Sequence, residues 1–198
     1  MKASLMLGVN NETKREDNDF YATDPNGLRI ALPILEKIGL NKNIWECSCG
    51  NGNLSKVLEE NNYKVYSTDL IDRGYGIGGI DFLSQDKIYD CDILTNPPFK
   101  LADKFVEKGM KLLKDGNHLI LFLKVQFLES NSRKALFEKY PPKYVIVNSE
   151  RICCAMNGDF DKYFNYDNKK EKYVGGTQFY CWYYWEKGYN GDTVIKWI

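Results

Sequence analysis

Histidine occurs once in these 198 residues, as His118, and no Cys-x-x-Cys pair occurs. A zinc site takes about four nitrogen or sulfur ligands, usually from closely spaced pairs. The six cysteines, Cys47, Cys49, Cys91, Cys153, Cys154 and Cys181, therefore do not read as metal ligands, and no metal is expected. Cys47 and Cys49 would share one face of a strand, so buried reduced thiols are the expected state. Net charge is also missing: 27 basic residues balance 27 acidic ones. That excludes strong charge-driven, sequence-independent nucleic-acid binding but leaves room for a local basic face. Long apolar runs are absent too. The longest, "HLILFLKVQFL", is too short to span a bilayer and contains Lys124. The opening "MKASLMLGVNNETKRED" turns polar after a few residues and does not read as a signal peptide. A cytoplasmic protein is the expectation. No repeat or low-complexity tract stands out.

What is present suits one folded domain. Apolar residues make up 43% and charged residues 27%. Residues 1–18 are polar and are expected to form a flexible arm before a single domain over 19–198. Aromatics reach 14% and concentrate in "QFYCWYYWEKGY".

The pattern alternates strands and helices. "TDPNGLRIALPILEKIGL" predicts a helix capped by Thr23 or Asp24, with Pro25 in its first turn, Gly39 at its end and a kink at Pro33. "NIWECS" (43–48) and "YKVYSTDL" (63–70) predict strands around the helix "LSKVLEENN". "GYGIGGIDFL" (74–83) predicts a glycine-rich connection ending in a short strand. "CDILTN" (91–96) predicts a strand stopped by Pro97 and Pro98. The helix "ADKFVEKGMKLLKDG", the apolar strand "NHLILFLKV" and the helix "NSRKALFEKY" follow. "KYVIVNSERICC" and "TQFYCWYYWEK" predict the last two strands, paired as neighbours. The expected fold is α/β: a mostly parallel sheet of seven strands with the last antiparallel, and helices on both faces. Residues 155–176 predict a long loop, a feature usually tied to function or disorder.

Ligands in open α/β sheets bind outside the carboxyl ends of the strands, where four motifs fall. In "ECSCGNGN", Gly50 and Gly52 would let backbone approach a ligand, although a tight strand-to-helix turn explains them as well. Asp69, at the next strand end, can accept hydrogen bonds from two ribose hydroxyls, or cap the following segment. Asp81 can accept from an adenine amino group and Phe82 can cover its ring, or they are a solvated acid and a core aromatic. In "LTNPPF", the side-chain oxygen of Asn96 and a proline carbonyl are both acceptors on a stiff backbone. Together they suit a planar –NH₂ group, with Phe99 stacked on the ring that bears it.

"NPPF" at this place resembles the catalytic motif of S-adenosylmethionine-dependent amino methyltransferases. "ECSCGNG" is similar to their cofactor loop, E-P-x-x-G-x-G, with Cys47 in place of proline. "DFYATDP" (19–25) resembles the upstream segment that closes over the methionine part, with Asp24 inserted between Thr23 and Pro25. This motif order resembles the γ arrangement of DNA adenine-N6 methyltransferases, and "WEKGYNGDTVIKWI" resembles small phage and prophage enzymes. The resemblance implies a Rossmann-like class I methyltransferase sheet and S-adenosyl-L-methionine as cofactor. It implies Asn96, Pro97, Pro98 and Phe99 as catalytic residues. It implies Tyr21, Thr23, Glu46, Cys47, Ser48, Gly50, Gly52 and Asn53 at the cofactor. Asp69, Leu70, Asp81, Phe82 and Asn96 complete that set. The implied substrate is adenine in DNA, flipped from the stack.

Related motifs also serve enzymes that methylate RNA base amines or a protein glutamine amide, and a decayed fold could act as a nucleic-acid-binding protein without catalysis. Fewer than 100 residues follow NPPF, so either loop 155–176 reads DNA or a second subunit, a homodimer partner or an accessory protein, supplies recognition. In that loop Tyr163, Phe164, Tyr166 and Tyr173 are interleaved with Lys162, Lys169, Lys170 and Lys172, and Arg151 just before it can hold a phosphate.

Overall fold

The computed structural model describes residues 20–198; the arm expected over 1–18 lies outside the described residues. The chain runs β1 (Tyr21–Thr23), α1 (Pro25–Lys37), β2 (Asn43–Glu46), α2 (Asn53–Glu60), β3 (Lys64–Ser67) and β4 (Asp92–Thr95). It continues through α3 (Ala102–Leu112), β5 (His118–Lys124), α4 (Asn131–Lys139), β6 (Tyr144–Val147) and β7 (Cys154–Met156). It closes with α5 (Phe160–Tyr163), β8 (Asn165–Asp167), β9 (Lys172–Val174), β10 (Tyr180–Glu186) and β11 (Val194–Trp197).

Seven strands form one sheet in the order β11-β6-β10-β5-β4-β2-β3. Residues of β5 alternate between two cores, as period-two geometry requires. Leu119, Leu121 and Leu123 face α3 and α4, together with Trp45, Phe105, Val106 and Leu136. Ile120 and Phe122 face α1 and α2, together with Leu28, Leu35, Leu54 and Leu58. Each of these fully buried side chains contributes roughly 1.5–3 kcal/mol by leaving water. Both faces are thus covered by helices, as the alternating pattern predicts.

The start of α1 follows the sequence signals. The Asp24 side chain accepts from the Asn26 amide at 2.9 Å, and Pro25 occupies the first turn, where its missing N–H costs nothing. Pro33 lies inside the helix.

Four expectations need correction. The segment 74–83 contains no strand. Ile77 makes a single bridge to Thr68, because Gly74, Gly76 and Gly79 adopt positive φ and break any ladder. "KYVIVNSERICC" is not one strand. It divides into β6 and β7, and β7 leaves the sheet to pair antiparallel with β1. "TQFYCWYYWEK" does run antiparallel, as β10, but it is inserted between β5 and β6 and is not last. The short, half-exposed β11 follows and pairs parallel to β6, giving a mixed sheet edge. Residues 155–176 are not a featureless loop: they complete β7, form α5 and fold into the β8–β9 hairpin.

All six cysteines are free and buried, as expected of reduced core thiols. Among the described residues, no helix is long and apolar enough to cross a membrane.

Candidate active site

β4 delivers Asn96 to the carboxyl end of the sheet, and Pro97 and Pro98 stop further pairing because they lack an N–H. Pro98 then leads into a short 3-10 turn over Phe99–Leu101. The Asn96 side chain is held by β1. Its Nδ2 donates to the Tyr21 carbonyl at 3.0 Å and to Thr23 Oγ1 at 2.9 Å. A carbonyl can only accept, so the amide nitrogen must face β1 and the oxygen must face away. That oxygen, Oδ1, is buried and has no hydrogen-bond partner among the described residues. A buried acceptor left unpaired costs free energy, and the described residues supply no donor to it. Phe99 stands beside it, with ring centroids 6.4 Å from Tyr21 and 5.9 Å from Tyr180, and Lys124 Nζ lies 5.2 Å from the Phe99 ring centre.

The turn after β2 forms the second wall. Gly50 and Gly52 both take positive φ, and Gly52 caps α2. Their open faces do not meet free space. A Cβ on Gly50 would lie 2.1 Å from the Phe20 ring, and one on Gly52 would lie 2.5 Å from the Tyr75 ring. Both glycines thus admit the chain's own aromatics to within contact. The Gly50 amide donates to Asp69 Oδ2 at 2.8 Å and the Ile71 amide to Asp69 Oδ1 at 2.9 Å. Each carboxylate oxygen keeps a further acceptor site. Asn53 Nδ2 donates to the Thr23 carbonyl at 2.8 Å, so the glycine turn and the NPPF turn both clasp β1.

Glu46 lies beneath the turn, 2% exposed. Burial pushes its carboxyl up to about 8, against the opposing hydrogen bond from Ser55. Ser55 in turn shares a 2.7 Å hydrogen bond with Ser67. Burial likewise raises the thiol of Cys49 to about 12, so it carries no nucleophilic role.

A cavity of about 370 Å³ lies between these walls, within the ~300–1,000 Å³ range of ligand pockets. Of the residues expected at the cofactor, Tyr21, Thr23, Glu46, Cys47, Ser48 and Asn53 line it. Asp69, Leu70, Asp81, Phe82 and Asn96 do too, as do Pro97, Pro98 and Phe99, the residues expected to be catalytic. Gly50 and Gly52 stand behind this lining. Asp81 is exposed and its Oδ1 accepts from the Leu83 amide at 2.9 Å. Phe82 is 2% exposed, packed 4.8 Å from Phe105 and 5.2 Å from Trp45, so it belongs to the core as well as to the wall. The lining also includes Phe20, Asn51, Arg73 and Phe105, which no sequence signal singled out. Asn51 likewise has a buried amide oxygen without a partner among the described residues. It sits in the middle of Gly-Asn-Gly, where a side chain reads as turn chemistry.

No family model and no curated protein matches this sequence. Solved structures do. One is a candidate RNA methyltransferase from Pyrococcus horikoshii, with a TM-score of 0.58, 14% identity, and coverage of 94% of this chain and 98% of that one. Another is a candidate class I S-adenosylmethionine-dependent methyltransferase from Listeria monocytogenes, with a TM-score of 0.56, 13% identity, and coverage of 97% and 68%. A third is the type IIG restriction endonuclease BpuSI, with a TM-score of 0.58, 14% identity, and coverage of 88% of this chain but 26% of that one. The chain has the fold of class I S-adenosylmethionine-dependent methyltransferases. The cavity's volume and the Asp69 carboxylate on its wall fit a polar, flat-ringed group such as the S-adenosyl-L-methionine those enzymes are named for.

Proposed function

We propose that this protein transfers a methyl group from S-adenosyl-L-methionine to the N6 amino group of adenine in DNA. The observation that carries the proposal is the Asn96 amide, whose nitrogen is bound to Tyr21 and Thr23 and whose buried oxygen is left as an acceptor. An exocyclic amine has two in-plane hydrogens, and no group among the described residues satisfies Oδ1. Asn96 Oδ1 takes one amine hydrogen and the Pro97 carbonyl takes the other, which aims the nitrogen lone pair into the cavity. Phe99 stacks on the base and replaces part of the stacking lost when it leaves the duplex. Asp69 holds the ribose hydroxyls of the cofactor, and Thr23, Asn53 and Asn51 border its remainder. When bound, the cofactor supplies a methyl carbon already activated by a sulfonium, so the protein's task is orientation rather than acid–base chemistry.

DNA is supported by the γ-like motif order and by the restriction endonuclease among the structural neighbours. We assign sequence recognition to the segment 155–176, with a second subunit or accessory protein as the alternative. The test is methyl transfer from labelled cofactor to DNA, RNA and protein in parallel, followed by nuclease digestion. Label recovered as N6-methyladenine from DNA is the expected result. Label only in RNA, only in protein glutamine, or in none replaces the reading with base methylation of RNA, amide methylation, or a binding role.

A further inference from the structure

The rim beyond Phe99 carries a flat, fixed cation. Arg151 follows β6, and its guanidinium carbon lies 3.4 Å from the ring centre of Phe179. Its NH1 also donates to the Gly176 carbonyl at 3.3 Å. A surface arginine ordinarily samples many rotamers, and ordering it costs free energy when a ligand arrives. Here the stacking and the hydrogen bond have already spent that freedom. Phe179 is 51% exposed, so the pair faces solvent rather than the core.

Its place in the fold is specific. Phe179 precedes Tyr180, whose ring is 5.9 Å from Phe99, and the Phe179 carbonyl accepts from the Val125 amide at 2.9 Å, just past β5. Because β10 is antiparallel, its first residues lie at the same sheet end as Asn96. Leu128, 44% exposed, adds an apolar neighbour on the same stretch after β5. A base entering over Phe99 would leave its strand neighbours on this side of the opening.

We infer that the Arg151–Phe179 pair is a stacking platform for the nucleotide beside the target base. This rests on the nucleic-acid reading of the catalytic site. The pair offers an aromatic face and a guanidinium plane, both of which stack on any base, and a positive charge for the adjoining phosphate. Such a contact carries affinity without sequence preference.

The test uses the full chain and fluorescein-labelled mixed-sequence 30-mers, single-stranded and duplex DNA, by anisotropy over a salt series. Phe179→Ala is expected to raise Kd about tenfold with the salt slope unchanged, and Phe179→Trp to restore most of the affinity. Arg151→Ala is expected to weaken binding and to reduce the salt slope by about one. Cofactor-induced thermal shifts should match wild type in all three. Wild-type DNA affinity in both Phe179→Ala and Arg151→Ala overturns the platform, whether or not DNA is methylated. Failure of the wild-type enzyme to label DNA, with DNA binding still lowered by these variants, overturns the methylation reading and leaves the platform standing. A wild-type chain that binds neither DNA form removes both.

Discussion

Asn96 Nδ2 donates to the Tyr21 carbonyl at 3.0 Å across 75 positions of sequence. That bond ties the Asn96 amide to β1, which is itself paired with β7 and clasped by Asn53. Thr23 supplies the second anchor through its hydroxyl. Asn96→Ala should therefore abolish turnover by two orders of magnitude or more while leaving cofactor binding intact, as expected for an interaction made at the reacting group. Thr23→Val should lower kcat by about tenfold with little change in KM for DNA, and Thr23→Ser should recover most of it. Steady-state kinetics with both substrates varied would check this; full kcat in Thr23→Val would show that Tyr21 alone orients the amide.

Cofactor binding should be visible without any nucleic acid. A ligand that binds only the folded state at a hundredfold excess over its Kd adds about 2.7 kcal/mol. For a chain of this size the melting temperature should rise by roughly 5–10 °C. Asp69→Ala removes the carboxylate that braces the Gly50 and Ile71 amides, so it should cut the shift by more than half. Differential scanning fluorimetry with the cofactor and its demethylated product is the measurement, and an unchanged shift would place the ribose elsewhere.

Glu46 should give the cofactor-free protein a pH-dependent stability. Its folded-state carboxyl is raised from 4.5 to about 8, chiefly by burial. Below the unfolded value both states are protonated and the group is neutral in effect. Between about pH 5 and 8 the folded state binds the extra proton, so stability falls as pH rises through this window. Glu46→Gln keeps a buried polar side chain without the charge and should flatten that slope. Urea unfolding at pH 5.5, 6.5, 7.5 and 8.5 would show it, and parallel slopes in variant and wild type would count against the assignment.

The hairpin of β8 and β9 should contribute charge to DNA binding through Lys169 and Lys170. Lys172, grouped with them on sequence grounds, is instead held against Glu150 and is mostly buried along its side chain. Replacing Lys169 and Lys170 with alanine should weaken DNA binding and lower its salt slope by one to two, leaving cofactor affinity alone. Filter binding across a salt series decides this. An unaltered slope would shift the charged surface to another part of the rim.

How far the sequence reached depended on whether the governing interactions were local. Helix starts such as Asp24-Pro25, the alternating apolar residues of β5, and the prolines ending β4 are short-range effects, so composition and spacing determined them. The motifs Glu46 to Asn53 and Asn96 to Phe99 were legible because strand ends in an α/β sheet converge on one edge. Only the tertiary structure decided what lies between those motifs and what they touch. The pairing of β1 with β7 joins residues 131 or more positions apart, which no periodicity encodes. The rings of Phe20 and Tyr75 over the two glycines, the freed oxygen of Asn96 and the stacking of Arg151 on Phe179 arise the same way. The edge strand β11 escaped notice because a short exposed strand carries no burial pattern; its backbone pairing with β6, not its side chains, makes it a strand.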